Sequence, residues 1–354
     1  MTYQDLGLSS SIEEYRKNQG LEGFEIGRVI SEHKERYVLK TPDSEFLGEL
    51  LGNLRYTANN KSDLPVVGDW VAFSEFDTDK AIIHAVYPRH SILERKAAGK
   101  KGQTQPIAAN VDVALIVQAV DRDFNLNRLD RYLTISHAAS ITPIIVLSKT
   151  DLIDMSEAED YLNQIKTRHK NTKVVLVNNQ SAGYAEVQHI IKQGLTYCLL
   201  GSSGAGKSTL LNGLLGIEAM KTMEISQAVN KGKHTTTHRE LHVLPNGGII
   251  IDNPGMREIG IGNTSQAIES TFEDFIDLDK RCKYPDCTHT HEQGCAIIEA
   301  VDNDEINKAA YINYIKLEKE RQYFESDAQE RKKKDKDLGR VIKEFKKQRK
   351  SKKF

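Results

Sequence analysis

The chain has 354 residues, 39% apolar and 28% charged, enough for two or three domains with cores of their own. No apolar run approaches a membrane span, and the polar segment from Met1 to Gly20 carries no signal-peptide pattern, so a cytoplasmic protein with no membrane partner is expected. The formal net charge of −1 hides an asymmetry: residues 331–354 hold thirteen Lys/Arg against three Asp/Glu, a local charge of +10, and the rest of the chain sums to −11. An acidic body with a basic tail points to a polyanionic partner.

From Gly23 to Leu93, short β-type runs alternate with turns: Phe24–Ile30, Arg36–Leu39, Phe46–Leu51, Trp70–Phe73 and Ala81–Val86. This spacing predicts a small barrel over residues 20–94, expected to bind RNA. Barrels of this size often bind single-stranded nucleic acid but many are only scaffolds, so the architecture by itself decides no function. The segment Glu94–Ala109, with Arg95, Lys96, Lys100 and Lys101, reads as a linker. Beyond it, β-rich runs at Val111–Val120, Ile144–Ser148, Val174–Asn178, Tyr197–Leu200 and Gly248–Asp252 alternate with helical stretches at Leu129–Ala139, Glu157–His169 and Ala185–Gln193. That alternation predicts a mostly parallel α/β sheet in a domain spanning 95–262. Residues 263–330 form a third region, with a helix over Ser265–Leu278, a cysteine cluster and a long charged helix from Asp304 to Phe324. Tyr311, Tyr314 and Ile315 give that helix one apolar stripe, expected to pack within its own domain.

The segment Gly201-Ser202-Ser203-Gly204-Ala205-Gly206-Lys207-Ser208 matches G-x-x-x-x-G-K-[ST] between a strand and a helix opening at Thr209. Glycines there let backbone N–H groups converge on phosphates, and the helix N-terminus adds a favourable dipole. Lys207 is expected on the β- and γ-phosphates and the Ser208 hydroxyl on Mg²⁺. Asp252-Asn253-Pro254-Gly255 matches D-x-x-G at a strand end, with Asp252 reaching Mg²⁺ through water and the Gly255 N–H facing the γ-phosphate. Between them lies Lys233-His234-Thr235-Thr236-Thr237, where a switch threonine completes the Mg²⁺ shell; Thr236 is assigned, with its two neighbours as alternatives.

Base choice falls to Ser148-Lys149-Thr150-Asp151, an [N/T]-K-x-D-like motif at a strand end. The Asp151 carboxylate can accept from the N1–H and 2-amino groups of guanine, and adenine offers no such donor pair. Serine at 148 in place of the usual asparagine is expected to weaken contacts to the base and to the phosphate loop. The loop at Asn178–Ser181 can supply a further backbone contact. This motif precedes the phosphate loop by about fifty residues, the reverse of the common order, so the domain is circularly permuted.

Cys282-x4-Cys287 and Cys295, with His289 or His291, supply three thiolates and an imidazole, a closed tetrahedral set for structural Zn²⁺. Cys198, on the strand before the phosphate loop, reads as core.

On these motifs, with Pro65-Val66-Val67-Gly68-Asp69-Trp70-Val71 and Ala108-Ala109-Asn110-Val111-Asp112, the chain resembles the circularly permuted, ribosome small subunit-dependent GTPases (RsgA or YjeQ type). The resemblance implies a multidomain fold: an N-terminal OB-fold barrel, a permuted P-loop GTPase domain and a C-terminal helical zinc domain. It selects His289 as the fourth ligand. It also implies a monomeric GTP hydrolase acting in late maturation of the small subunit, binding rRNA in the GTP state and stimulated by that subunit. A nucleotide-gated RNA-binding scaffold with little hydrolysis is the alternative. Met256, after D-x-x-G, cannot orient a water, so slow unaided turnover is expected, with His234 as the catalytic side chain.

Overall fold

A computed structural model describes residues 1–33, 36–57, 61–96, 104–121, 123–178, 181–216, 239–252 and 265–325. The chain divides into two units, Met1–Gly260 and Ile261–Phe354. None of the described helices is long and apolar enough to cross a membrane.

The first unit opens with helix α1 (Ser10–Asn18), followed by strands β1 (Glu25–His33), β2 (Arg36–Lys40) and β3 (Glu45–Leu50). Helix α2 (Gly52–Thr57) then leads to β4 (Trp70–Asp77) and β5 (Lys80–Val86). The order β1-β2-β3-β5-β4 closes through β1–β4 into a five-stranded barrel, and β3 and β5 run parallel, as in an OB fold. Alternation decides which side chains fill it. Val29, Leu39, Phe46, Val71, Phe73, Ala81 and Ile83 form one buried cluster. Ile26, Trp70 and Ala72, at alternate positions, pack instead against Leu6 and Ile12 from the N-terminal segment. Each Val, Leu, Ile or Phe among them taken from water contributes about 1.5–3 kcal/mol.

The expected linker is a hairpin. β6 (Ile92–Lys96) pairs antiparallel with β7 (Thr104–Ala109), and Leu93, Ile107, Ala108 and Ala109 are buried. The basic, glycine-containing run between the strands hides these apolar ends in the sequence.

Parallel strands β8 (Val113–Ala119), β9 (Thr142–Ser148), β10 (Lys173–Leu176), β11 (Thr196–Leu200) and β13 (Ile249–Asp252) form the nucleotide domain in the order β10-β9-β8-β11-β13. Helices α3 (Leu126–Ala138), α4 (Met155–Arg168), α5 (Ala185–Ile190) and α6 (Lys207–Leu215) lie between the strands in sequence. Asn125 caps α3 by accepting from Arg128 N at 3.0 Å, and Asp154 with Glu157 forms a capping box on α4. An additional strand, β12 (Glu240–Val243), runs antiparallel to β13 on one side and meets β1 through Ser31 and Glu240 on the other. Barrel and nucleotide domain therefore share one continuous sheet.

In the second unit, the single helix expected over Ser265–Leu278 is two: α7 (Ser265–Thr271) and α8 (Glu273–Asp279), broken at Phe272. The break turns Phe272 and Phe275 onto Tyr314, with ring centroids 5.4 and 4.7 Å away. Tyr314 belongs to α10 (Lys308–Glu325), which follows α9 (Ala296–Asp302). Part of the expected stripe thus packs inside its own unit, and burial raises the Tyr314 phenol above its ordinary range.

Candidate nucleotide site and metal centre

All described parts of the nucleotide site lie at the carboxyl ends of the parallel strands, where an open α/β sheet places its ligands. Gly201 leaves β11 with φ of +146°, and a Cβ there would stand 2.3 Å from the carbonyl oxygen of Val117 on β8. Only glycine permits that approach. Gly206, with φ of +95°, is the N-cap of α6, so the loop delivers its N–H groups at the helix start.

Lys207 is folded onto this loop. Its Nζ donates to the carbonyls of Gly201 at 2.8 Å and Ser202 at 2.6 Å. Burial lowers its pKa, and the charges of Asp252 and Asp123 counter that. Burial likewise raises the Asp252 carboxyl; His242 and Lys207 pull it down, and Glu240 pushes it further up. An ammonium and a carboxylate that sense each other beside Ser208 at the start of α6 make a set of hard oxygen donors with a cationic neighbour. That chemistry suits Mg²⁺ and a polyphosphate.

Ser148 touches the phosphate loop. Its Oγ donates to the carbonyl of Ala205 at 2.6 Å, so the base-reading motif is tied directly to the phosphate loop. Lys149 takes a left-handed φ of +62° and its Nζ pairs with Asp121 at 2.7 Å. A short 3-10 turn, Thr150–Leu152, holds Thr150 and Asp151, and the Thr150 N–H donates to Val177.

The loop after β8 carries functional side chains that no motif marked. Asp123 accepts from Ser202 Oγ in the phosphate loop and pairs with Arg128 at 2.7 Å, while Asp121 holds Lys149. Hydrogen bonding from Arg128 is the main cause that lowers the Asp123 pKa, and from Lys149 the Asp121 pKa. One loop thus clasps both the base-reading and phosphate-binding segments. The only signal in the sequence is two acidic residues just past a buried parallel strand.

His234, Thr235–Thr237, Gly255, Met256 and the basic tail 331–354 lie outside the described residues, as do Asn179 and Gln180.

The cysteine cluster is assembled. Ligand atoms of Cys282, Cys287, His289 and Cys295 lie within 4.8 Å of one another. Cys282 Sγ is 3.9 Å from Cys295 Sγ, and His289 Nδ1 is 3.7 and 3.5 Å from these two sulfurs. A tetrahedron with ordinary Zn–S and Zn–N bonds has edges of about 3.8 Å between sulfurs and about 3.6 Å between sulfur and nitrogen. The arrangement fits. His289 Nε2 faces Asp279 at 3.2 Å, the carboxylate partner typical of a ligating histidine, and Tyr311 Oη donates to the His289 carbonyl at 2.6 Å. His291 is exposed, its Nδ1 beside Thr290 Oγ1. Glu292 braces the loop by accepting from the backbone N–H groups of Thr288, Thr290 and His291, and the Thr288 hydroxyl leads the bonds that hold its carboxyl well below the usual range. Cys198, buried on β11, lies apart from this cluster in sequence, and burial pushes its thiol up to about 12, that of an inert core cysteine.

The family model described as RsgA GTPase matches residues 86–262. A curated relative, "Small ribosomal subunit biogenesis GTPase RsgA 1" of Listeria innocua, is 43% identical over 298 residues, covering 84% of each chain. The chain belongs to the RsgA GTPase family. It is a circularly permuted GTP hydrolase. Another family relative, RsgA of Opitutus terrae, is 40% identical over 313 residues, covering 85% of each chain. A second family model, described as 50S ribosome-binding GTPase, matches residues 196–349. Among solved structures, YjeQ from Thermotoga maritima aligns with a TM-score of 0.61 at 25% identity, over 84% of this chain and 98% of that one. YloQ, titled a circularly permuted GTPase, also gives 0.61, at 24% identity over 86% and 98%.

Proposed function

We propose that this GTPase acts in the maturation of the small ribosomal subunit, holding the particle with GTP bound and leaving it after hydrolysis. The observation that carries the chemistry is the Ser148–Ala205 bond, which joins the guanine-reading motif to the phosphate loop. The choice of particle rests on relatives whose names specify the small subunit at up to 43% identity; the family model that names the 50S particle starts only at Thr196, on the strand entering the phosphate loop.

In this reading Lys207 leaves its two loop carbonyls for the β- and γ-phosphates, so the charge is already in place when the triphosphate arrives. Ser208 and Thr236, with Asp252 through water, would hold Mg²⁺, which would supply charge neutralisation at the transferred phosphoryl group. His234 orients the attacking water, a task Met256 cannot perform, and turnover stays slow until the small subunit binds. Cys282, Cys287, His289 and Cys295 would hold Zn²⁺ with no open position, so its contribution would be to folding rather than to chemistry. The expected setting is the cytoplasm, with rRNA as the surface met by the basic tail.

Asp151 sets the base. Asp151→Asn replaces an acceptor of two guanine hydrogen bonds by a group that opposes one of them. GTP affinity then falls about a hundredfold, while xanthosine triphosphate, with a carbonyl in place of the 2-amino group, gains. Competition binding with the two nucleotides measures the exchange. The switch itself is tested by sedimenting the protein with small subunits in a non-hydrolysable GTP analogue and in GDP. Tighter binding with the analogue is expected, and equal affinities contradict the proposal.

A further inference from the structure

Arg28, on barrel strand β1, is wholly buried, and its hydrogen bonds among the described residues go to no carboxylate. Its guanidinium donates to four separate stretches of chain. These are the carbonyl of Leu6, the carbonyls of Gly68 and Asn110, each at 3.3 Å, and Thr196 Oγ1 at 2.8 Å. Its Cζ also lies 5.6 Å from the centroid of the Trp70 ring. Burial lowers its pKa only to about 10, with Asp112 and Asp69 opposing the shift, so it stays charged at neutral pH.

A buried guanidinium is expensive to desolvate, and an apolar side chain of similar volume commonly serves stability as well or better. What the fork supplies here is position. Thr196 opens β11, the strand that runs into Gly201 and the phosphate loop, and its N–H donates to Asp112 Oδ2 at 2.7 Å. Gly68, with φ of +95°, brings the barrel so close to the end of β7 that a Cβ would lie 2.1 Å from the Ala109 carbonyl oxygen. Asn110 Nδ2 donates to the same Gly68 carbonyl that Arg28 uses, at 3.1 Å. A second grip lies further along β1. Ser31 pairs with Glu240, and Glu240 pairs on its other side with Asp252. Arg239, next to Glu240, approaches Glu32 at 3.9 Å. Strand β1 therefore holds the nucleotide domain at the strand entering the phosphate loop and at the strand beside Asp252.

We propose that Arg28 is a positioning residue for GTP hydrolysis, fixing the barrel to the start of β11 so that a partner seated on the barrel moves the phosphate loop and Asp252 with it. The proposal rests on the reading of the small ribosomal subunit as that partner. Without the fork, barrel and nucleotide domain stay joined through the β1–β12 pairing but no longer at the start of β11, and less of the force of docking reaches the phosphate loop.

The test uses the full chain, with Arg28→Met, Arg28→Lys and Thr196→Val. Affinity for a fluorescent GDP analogue, turnover of GTP alone and turnover with saturating small ribosomal subunits are measured for each, with sedimentation to show that the subunit still binds. Unaided turnover and GDP affinity are expected within about two-fold of wild type, while the acceleration by subunits falls about five-fold or more in Arg28→Met. Arg28→Lys keeps the charge but not the fork and is expected to behave like Arg28→Met; Thr196→Val, which removes one of the four bonds, shows a smaller loss. Full acceleration in Arg28→Met overturns the proposal, and if that variant does not fold, full acceleration in Thr196→Val does so. Unaided and accelerated rates falling in parallel also overturn it, because they show a structural role alone. A wild-type protein that subunits do not accelerate overturns the ribosomal reading itself, together with the coupling that rests on it.

Discussion

Lys207→Ala is expected to lower kcat/KM for GTP by about a thousandfold and to leave the fold standing. The lysine is the cation that meets the transferred phosphoryl group, and a water molecule cannot replace its charge. Its present partners are two carbonyls of a partly exposed loop, which solvent can satisfy once the ammonium is gone. The surrounding core of Leu199, Leu210, Leu211 and Leu214 does not involve the side chain. Thermal unfolding of the apo protein should therefore stay close to wild type while hydrolysis disappears, and steady-state kinetics beside a melting curve checks both. A large drop in stability would instead assign Lys207 a structural role.

Removing the metal has the opposite profile. Chelation, or Cys295→Ser, is expected to unfold the second unit and to spare nucleotide binding. Structural zinc contributes about 10–16 kcal/mol of apparent binding energy in small zinc modules, more than a small helical core can replace. Ile268, Phe272, Phe275, Leu278, Ile297, Ala300 and Leu317 are buried among its described residues. Their packing leans on the loop that the four ligands close, through Tyr311 at the His289 carbonyl and Tyr314 against the phenylalanines. Every described nucleotide-site residue belongs to the first unit. Loss of helical circular dichroism with GDP affinity unchanged within about two-fold is the expected result; unchanged helicity after complete metal removal contradicts the zinc assignment.

The parts of this protein legible in its sequence are those whose chemistry demands residues at fixed local spacing. The phosphate loop, the guanine motif, the cysteine cluster and the alternation of the barrel strands are all of this kind. What stayed hidden depends on contacts between distant segments. The contact from the Ser148 hydroxyl to Ala205 has no signal in the sequence, because only the parallel pairing of the intervening strands brings the two near. Asp121 and Asp123 gave no pattern, because two acidic residues after a strand acquire meaning only when Lys149 and Ser202 arrive from elsewhere. The hairpin at 92–109 was masked by its own basic connection, and the helix break at Phe272 by an apolar periodicity that runs through it. Arg28 reads as one more charge on an exposed strand until four other segments close over it.

The central claim joins a permuted nucleotide switch to a ribosomal partner. The most direct measurement is GTP turnover by the purified full chain with and without purified small ribosomal subunits, at saturating nucleotide. Slow turnover alone and acceleration of about tenfold or more with small subunits is the expected result, with large subunits giving none. Rates that do not change on adding small subunits, or that rise equally with large ones, contradict it.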